Sequence, residues 1–231
     1  MHFKPHCRAL RQLLSTLFMA ILLLALGVDS ASADEIAVWN FNDSDLVVDH
    51  GSGTLVSNFV AANILFAAGT TNNARLGDLA GQALSLQGGT SNTNNGRNIT
   101  FNVSTLGFTN ILVSFATQGT STGFNLNQFQ YSLDGITFTD FGSPVVPATT
   151  FGAVPIVFTL SGIVGLNNNP NAAFRIVFNG ATSSTGNNRI DNFVIEGTAA
   201  PDTTIPEPST ALLLISGLTG LVLKHKKRKA T

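Results

Sequence analysis

The chain has 231 residues, of which 44% are hydrophobic and only 11% charged, with a formal net charge of −1 and 22 glycines. Globular domains carry about a quarter charged residues, so the polarity here comes mainly from Asn, Thr, Ser and Gly. Eight of the twelve basic residues lie in the two ends; residues 34–200 hold four arginines against ten acids, a net −6, and no lysine. This excludes a protein that tracks nucleic-acid phosphates, which needs clustered positive charge. The single cysteine, Cys7, lies in the leading segment, which excludes a disulfide or thiol chemistry in the body. Roughly 165 residues remain, enough for one domain with a sizeable core.

The first 33 residues predict a secretory signal peptide. Lys4, Arg8 and Arg11 precede an apolar, uncharged run from Leu13 to Val28, and Ala31-Ser32-Ala33 supplies the small-x-small pattern for cleavage after Ala33. A retained anchor helix is the other reading, and both export the body. Residues 34–198 then predict an all-β domain. Apolar residues alternate at Ala37/Trp39/Phe41, Ile99/Phe101/Val103, Ile111/Val113/Phe115, Phe129/Tyr131/Leu133, Val154/Ile156/Phe158/Leu160, Phe174/Ile176/Phe178 and Phe193/Ile195. Such a period of two places one face in a core and one in water. Nine or so strands with Asn/Gly/Ser/Thr turns predict a two-sheet antiparallel sandwich, of the jelly-roll kind. Asp134-Gly135 lies between two alternating runs and predicts a two-residue hairpin turn with both residues at positive φ. Residues 90–97, 119–123, 167–171 and 180–188 read as polar loops, and 199–204 as a Pro/Thr linker.

The end of the chain, residues 205–231, reads as an address. Pro206-Glu207-Pro208 stops regular structure, because two of its three residues lack an amide proton. The apolar run Ser209–Leu223 reaches about 22 Å as a helix, short of a hydrocarbon core of about 30 Å. Lys224, Lys226, Lys227, Arg228 and Lys229 close it, and such a stop holds its cationic end in the cytoplasm with the body outside.

The order Pro-Glu-Pro-Ser-Thr-Ala-Leu, short apolar helix and basic cluster resembles the PEP-CTERM sorting signal. The resemblance covers about a tenth of the chain and departs from the family in favouring lysine over arginine. It implies an exosortase as processing partner, with Pro206, Glu207 and Pro208 recognised and the body released to the cell surface or an exopolysaccharide matrix. A simple C-terminal anchor is the alternative. Gln130-Tyr131-Ser132-Leu133-Asp134-Gly135, with Phe138 following, resembles a hairpin of galactose-binding-like jelly rolls, which bears on fold more than on ligand.

Chemistry in the body is constrained by shortage. Its one histidine, His50, has no Gly-x-Ser-x-Gly elbow to serve; Val48-Asp49-His50-Gly51 reads as a turn, with catalytic base or metal ligand as the rival. Ten acids make some carboxylate pair unavoidable, so their number is no evidence for a glycosidase. Asn42-Asp43-Ser44-Asp45 is either a solvated turn or a set of oxygen ligands for calcium, and it lacks an EF-hand's spacing. Asp191 shares strand parity with Phe193 and Ile195, which predicts an inward carboxylate paired with Arg189. Calcium held by Asp191 with Asp43 is the alternative, as in carbohydrate-binding jelly rolls, if the terminal strands are neighbours. The one Trp and one Tyr fall on core faces, which leaves Asn-rich loops for any glycan. The sequence thus predicts a non-catalytic matrix protein, structural or weakly carbohydrate-binding. The rival is a secreted hydrolase of matrix polysaccharide.

Overall fold

A computed structural model describes residues 33–75 and 77–200. The expected signal peptide up to Ser32, Pro206-Glu207-Pro208 and the basic tail fall outside the described residues. The strands are β1 (Ala33–Trp39), β2 (His50–Gly51), β3 (Thr54–Ser57), β4 (Ile64–Ala68), β5 (Gln82–Gln87), β6 (Arg97–Asn102), β7 (Phe108–Gly119), β8 (Leu126–Ser132), β9 (Phe138–Asp140), β10 (Ile156–Thr159), β11 (Ala173–Asn179) and β12 (Asn187–Ala199). Among the described residues the only helical segments are three short 3₁₀ turns. All pairings are antiparallel. One sheet runs β10-β7-β12-β1-β2, with β5 also paired to β12 and β4 to β5; the other runs β3-β6-β11-β8-β9. From β5 to β8 successive strands change sheets, and so do β10, β11 and β12. The two-sheet antiparallel sandwich expected from alternation is therefore present.

Alternation produces this fold because each sheet turns its apolar side inward. Trp39, Phe115 and Phe193 of the seven-stranded sheet meet Phe101, Phe129 and Phe174 of the other, all nearly or fully buried. Phe101 and Phe193 stack across the sandwich with ring centroids 3.6 Å apart, and Phe129 stacks on Phe158 at 4.0 Å. Trp39 meets Phe101 edge-on at 4.9 Å, an arrangement that adds to the area term for aromatic pairs.

The structure departs from the sequence reading in several places. β3, β4 and β5 were not expected: β3 is four residues long, and β4 is an edge strand with no fully buried residue. The alternating run Val154–Leu160 is a strand only over Ile156–Thr159. The Asp134-Gly135 connection is a five-residue loop, since Ser132 pairs with Phe138. Only Gly135 has positive φ, at 75°. Asp134 instead folds back, its Oδ1 accepting the N–H groups of Ile136 and Thr137 and the hydroxyl of Ser132; such an Asx turn replaces the tight hairpin. Pairing begins at Ala33 and ends at Ala199, one residue outside each expected domain boundary.

The central correction concerns Asp191. β12 changes register against β7 between Asp191 and Val194, and Asn192 sits there at φ 48°. This bulge adds a residue, so Phe193 keeps its place in the core while Asp191 turns to the outer side. The same position separates the half of β12 paired to β5 (187–190) from the half paired to β1 (193–198). Removing the ring that stacks at the sandwich centre tests this core. Phe193→Ala should lower the unfolding free energy by about 3–5 kcal/mol, read from the urea midpoint at unchanged slope.

Candidate functional site

The bulge anchors a strap over the outer side of the seven-stranded sheet. Asp191, fully buried, accepts the N–H of Thr70 on Oδ2 at 2.7 Å and that of Asn192 on Oδ1 at 2.8 Å. Asn192 donates its amide to the carbonyls of Thr70 and Asn72. Asn73 donates to Asn192 O and to Ser114 Oγ. Arg75 closes the strap, 2.8 Å from Glu196 and 3.5 Å from Glu35. A second segment lies alongside, where Asn72 donates to Gly152 O and Phe151 N–H to Gln118 Oε1. The expected Arg189–Asp191 pair is absent among the described residues: Arg189 Nη1 donates to Ala68 O instead. The backbone N–H groups of Thr70 and Asn192 take the place of the arginine at the carboxylate.

The terminal strands are neighbours, as a joint Asp43–Asp191 site requires. Asp43, however, is exposed after β1 while Asp191 is sealed under the strap, and the two share no hydrogen-bond partner among the described residues. Among those residues no three His, Cys, Asp or Glu side chains converge as metal ligands. The nearby acids tie loops together. Asp45 accepts Val47 N–H, and Asp49 accepts Asn40 N–H at 2.7 Å. His50 begins β2 rather than lying in a turn, its Nε2 3.4 Å from Asp78 Oδ2, which also accepts the Asn40 amide at 3.0 Å. Burial raises the Asp49 carboxyl.

The five-stranded sheet has no such cover, and its outer side is the site that sequence reasoning missed. Register places its side chains in rows. Val56, Thr100, Arg175, Gln130 and Asp140 form one; Thr54, Asn102, Ala173, Ser132 and Phe138 form the next; Asn98, Val177 and Gln128 form a third. The guanidinium carbon of Arg175 sits 3.3 Å from the Phe138 ring centroid, and its Nε donates to Thr100 Oγ1 at 3.0 Å. Ala173, small and between Asn102 and Ser132, leaves space for that stack. Gln130 gives its amide to Asp140 at 2.7 Å. A cleft of about 260 Å³ adjoins the face at Asn102 and is lined by Ser104, Asp134 and Asn171 among others. Hydrogen bonds from Ile136, Thr137 and Ser132 hold the Asp134 carboxyl well below the usual range. Trp39 lies in the core as expected, and Tyr131 is half-buried. Phe138 is the aromatic on the outer face; its turn partner Gly135 was visible in sequence, but its neighbour Arg175, 37 residues later, was not.

No family model matches the sequence, and no curated protein is significantly similar to it. Solved structures similar to the chain include TmCBM61 in complex with β-1,4-galactotriose, at 10% identity and TM-score 0.40, covering 68% of this chain and 92% of that one. Another is the CBM22-1 xylan-binding domain of Paenibacillus barcinonensis Xyn10C, at 10% identity and TM-score 0.45, covering 74% and 99%. A third is domain 4 of AbnA, an extracellular arabinanase from Geobacillus stearothermophilus, in complex with arabinotriose, at 14% identity and TM-score 0.41, covering 73% and 94%. Scores at this level support no transfer of ligand or residue roles.

The strap gives a pH prediction. Burial pushes Asp191 up to about 7, against its two N–H donors, which favour the charged form. The unfolded chain loses this proton near 4, so between about pH 4 and 7 the folded protein binds more protons. The contribution of this group to stability therefore falls as pH rises through that window. The wild-type melting temperature should drop more steeply from pH 5 to pH 8 than that of Asp191→Asn; parallel curves would show that the carboxyl titrates normally.

Proposed function

We propose that the protein is an exported, non-catalytic jelly roll of the cell surface or extracellular matrix that binds polysaccharide through the outer face of its five-stranded sheet. The observation that carries this reading is the contrast between the two layers. The centre of one sheet is covered by its own strap, while the other presents amide side chains, the Thr54 hydroxyl and one stacked guanidinium in register-matched rows. Amide side chains on a flat β face suit sugar hydroxyls, and exposed Val56 on β3 suits the C–H face of a ring.

Delivery to that location rests on the terminal segments. The signal peptide, with Ala31 and Ala33 at its cleavage site, would export the body. Pro206, Glu207 and Pro208 would be recognised by an exosortase that cuts near them, while Lys224, Lys226, Lys227, Arg228 and Lys229 hold the precursor in the inner membrane. Glu207→Ala should leave uncleaved precursor in that membrane, and neutralising the five cations should weaken its retention before cleavage. Mass spectrometry of the surface-released protein checks this; a mature chain ending at Thr231 would make the segment an ordinary tail.

Glycan binding is tested with the full chain in non-ionic detergent on an array of neutral and acidic plant and bacterial polysaccharides. Asn102→Ala, at the junction of face and cleft, should weaken retention about fivefold, the worth of one net hydrogen bond. Val157→Ala, on β10 of the other sheet, should not change it. Release of reducing ends that a single Asp→Asn change abolished would assign a hydrolase instead.

A further inference from the structure

The four arginines of the body have different fates. Arg75 is neutralised by Glu196 and Glu35. Arg97 donates to the carbonyls of Thr93 and Asn58, and Arg189 to that of Ala68. Arg175 uses only Nε, on Thr100 Oγ1, and has no ion pair; its Nη1 and Nη2 have no hydrogen-bond partner among the described residues. This happens in a body with ten acids against four cations. The acid on its own row, Asp140, stands two strands away and accepts the amide of Gln130.

The Arg175 guanidinium is also fixed before any ligand arrives. Thr100 sets one edge and the Phe138 ring sets its plane, so little rotamer freedom remains to be lost on binding. A planar fork with two free amino groups matches a carboxylate bidentately. Partial burial opposes its charge, so an anionic partner recovers solvation that the site withholds. The surroundings narrow the ligand further. Asn102, Gln128 and Gln130 are neutral hydrogen-bonding groups, and the acidic body around one cation repels a dense polyanion.

We propose that Arg175 is a carboxylate subsite, and that the face takes a largely neutral polysaccharide bearing isolated uronate groups. This rests on the glycan-binding reading above and adds its ligand class. The uronate carboxylate would accept two N–H groups from Nη1 and Nη2 while neighbouring hydroxyls meet the amides of the adjoining rows.

The test compares 4-O-methylglucuronoxylan with the same polymer after carboxyl reduction, by affinity gel electrophoresis of the full chain in non-ionic detergent. The wild type should bind the acidic polymer about tenfold more tightly, the scale of one charge-assisted hydrogen-bond pair. In Arg175→Gln the ratio of the two affinities should fall close to one. Arg175→Lys should keep part of it, holding the charge without the fork, and Phe138→Ala should lower it severalfold by freeing the guanidinium. Equal wild-type affinity for the two polymers, or a tenfold ratio that survives Arg175→Gln, overturns the subsite and leaves neutral glycan binding standing. Retention of neither polymer overturns the subsite together with the reading beneath it. Should Arg175→Gln fail to fold, Arg175→Lys and Phe138→Ala carry the reading: a wild-type ratio unchanged in both overturns the subsite.

Discussion

The bulge at Asp191–Asn192 is the constraint on which the rest of the molecule depends. β12 is the central strand of the larger sheet and must do three things within a few residues. It must change partner from β5 to β1, keep Phe193 against Phe101, and present polar groups to the strap. A regular strand could not do so, because its period of two would send Asp191 into the core with Phe193. One extra residue, with Asn192 in the left-handed region that asparagine tolerates, resolves the conflict. The cost of burying a carboxylate is offset by two backbone donors whose own groups would otherwise lie unpaired beneath the strap.

That local solution decides which surface is available. The strap residues 70–75 satisfy the polar groups of β7 and β12, so the outer side of the larger sheet is closed by the chain itself along those strands, while Val157 on β10 stays exposed. The smaller sheet has no equivalent segment, and its outer rows are finished by side-chain pairs such as Arg175 with Thr100 and Gln130 with Asp140. A binding face built on central strands is held by ladder hydrogen bonds on both sides, which keeps Arg175 and its neighbours at fixed spacing without help from loops.

The core was legible in the sequence because its residues repeat with the pleat. Alternation alone places Trp39, Phe101, Phe115, Phe129, Phe174 and Phe193 inside, and all are buried. Features that depend on register were not legible. The parity of Asp191 fails at a bulge that no composition marks, since Asn192 looks like any asparagine in an Asn-rich chain. The Asp134-Gly135 pair is a turn signal, but the turn that forms is chosen by the Asp134 side chain, which captures two backbone amides. Short edge strands such as β3 and β4 bury too little to stand out. The stack of Arg175 on Phe138 joins β11 to β9 across the intervening β8, a relation that exists only once strand order is known.

The acidity of the body and the guanidinium of Arg175, stacked on Phe138, belong to the same electrostatic design. Asp140 stands two strands from Arg175 on the same row, accepts the Gln130 amide on its carboxylate, and makes no ion pair with the guanidinium. A single carboxylate seated on the guanidinium meets its bidentate partner at hydrogen-bond range, where that attraction outweighs the screened repulsion of acids farther off. A polymer with a charge on every sugar is different, because its further carboxylates would meet an acidic body and gain no cation in exchange. The absence of lysine from residues 34–200 removes the flexible cations that would blur this difference. Selectivity for sparse over dense charge then follows from where the acids stand, and would weaken as added salt shortens the range over which they repel.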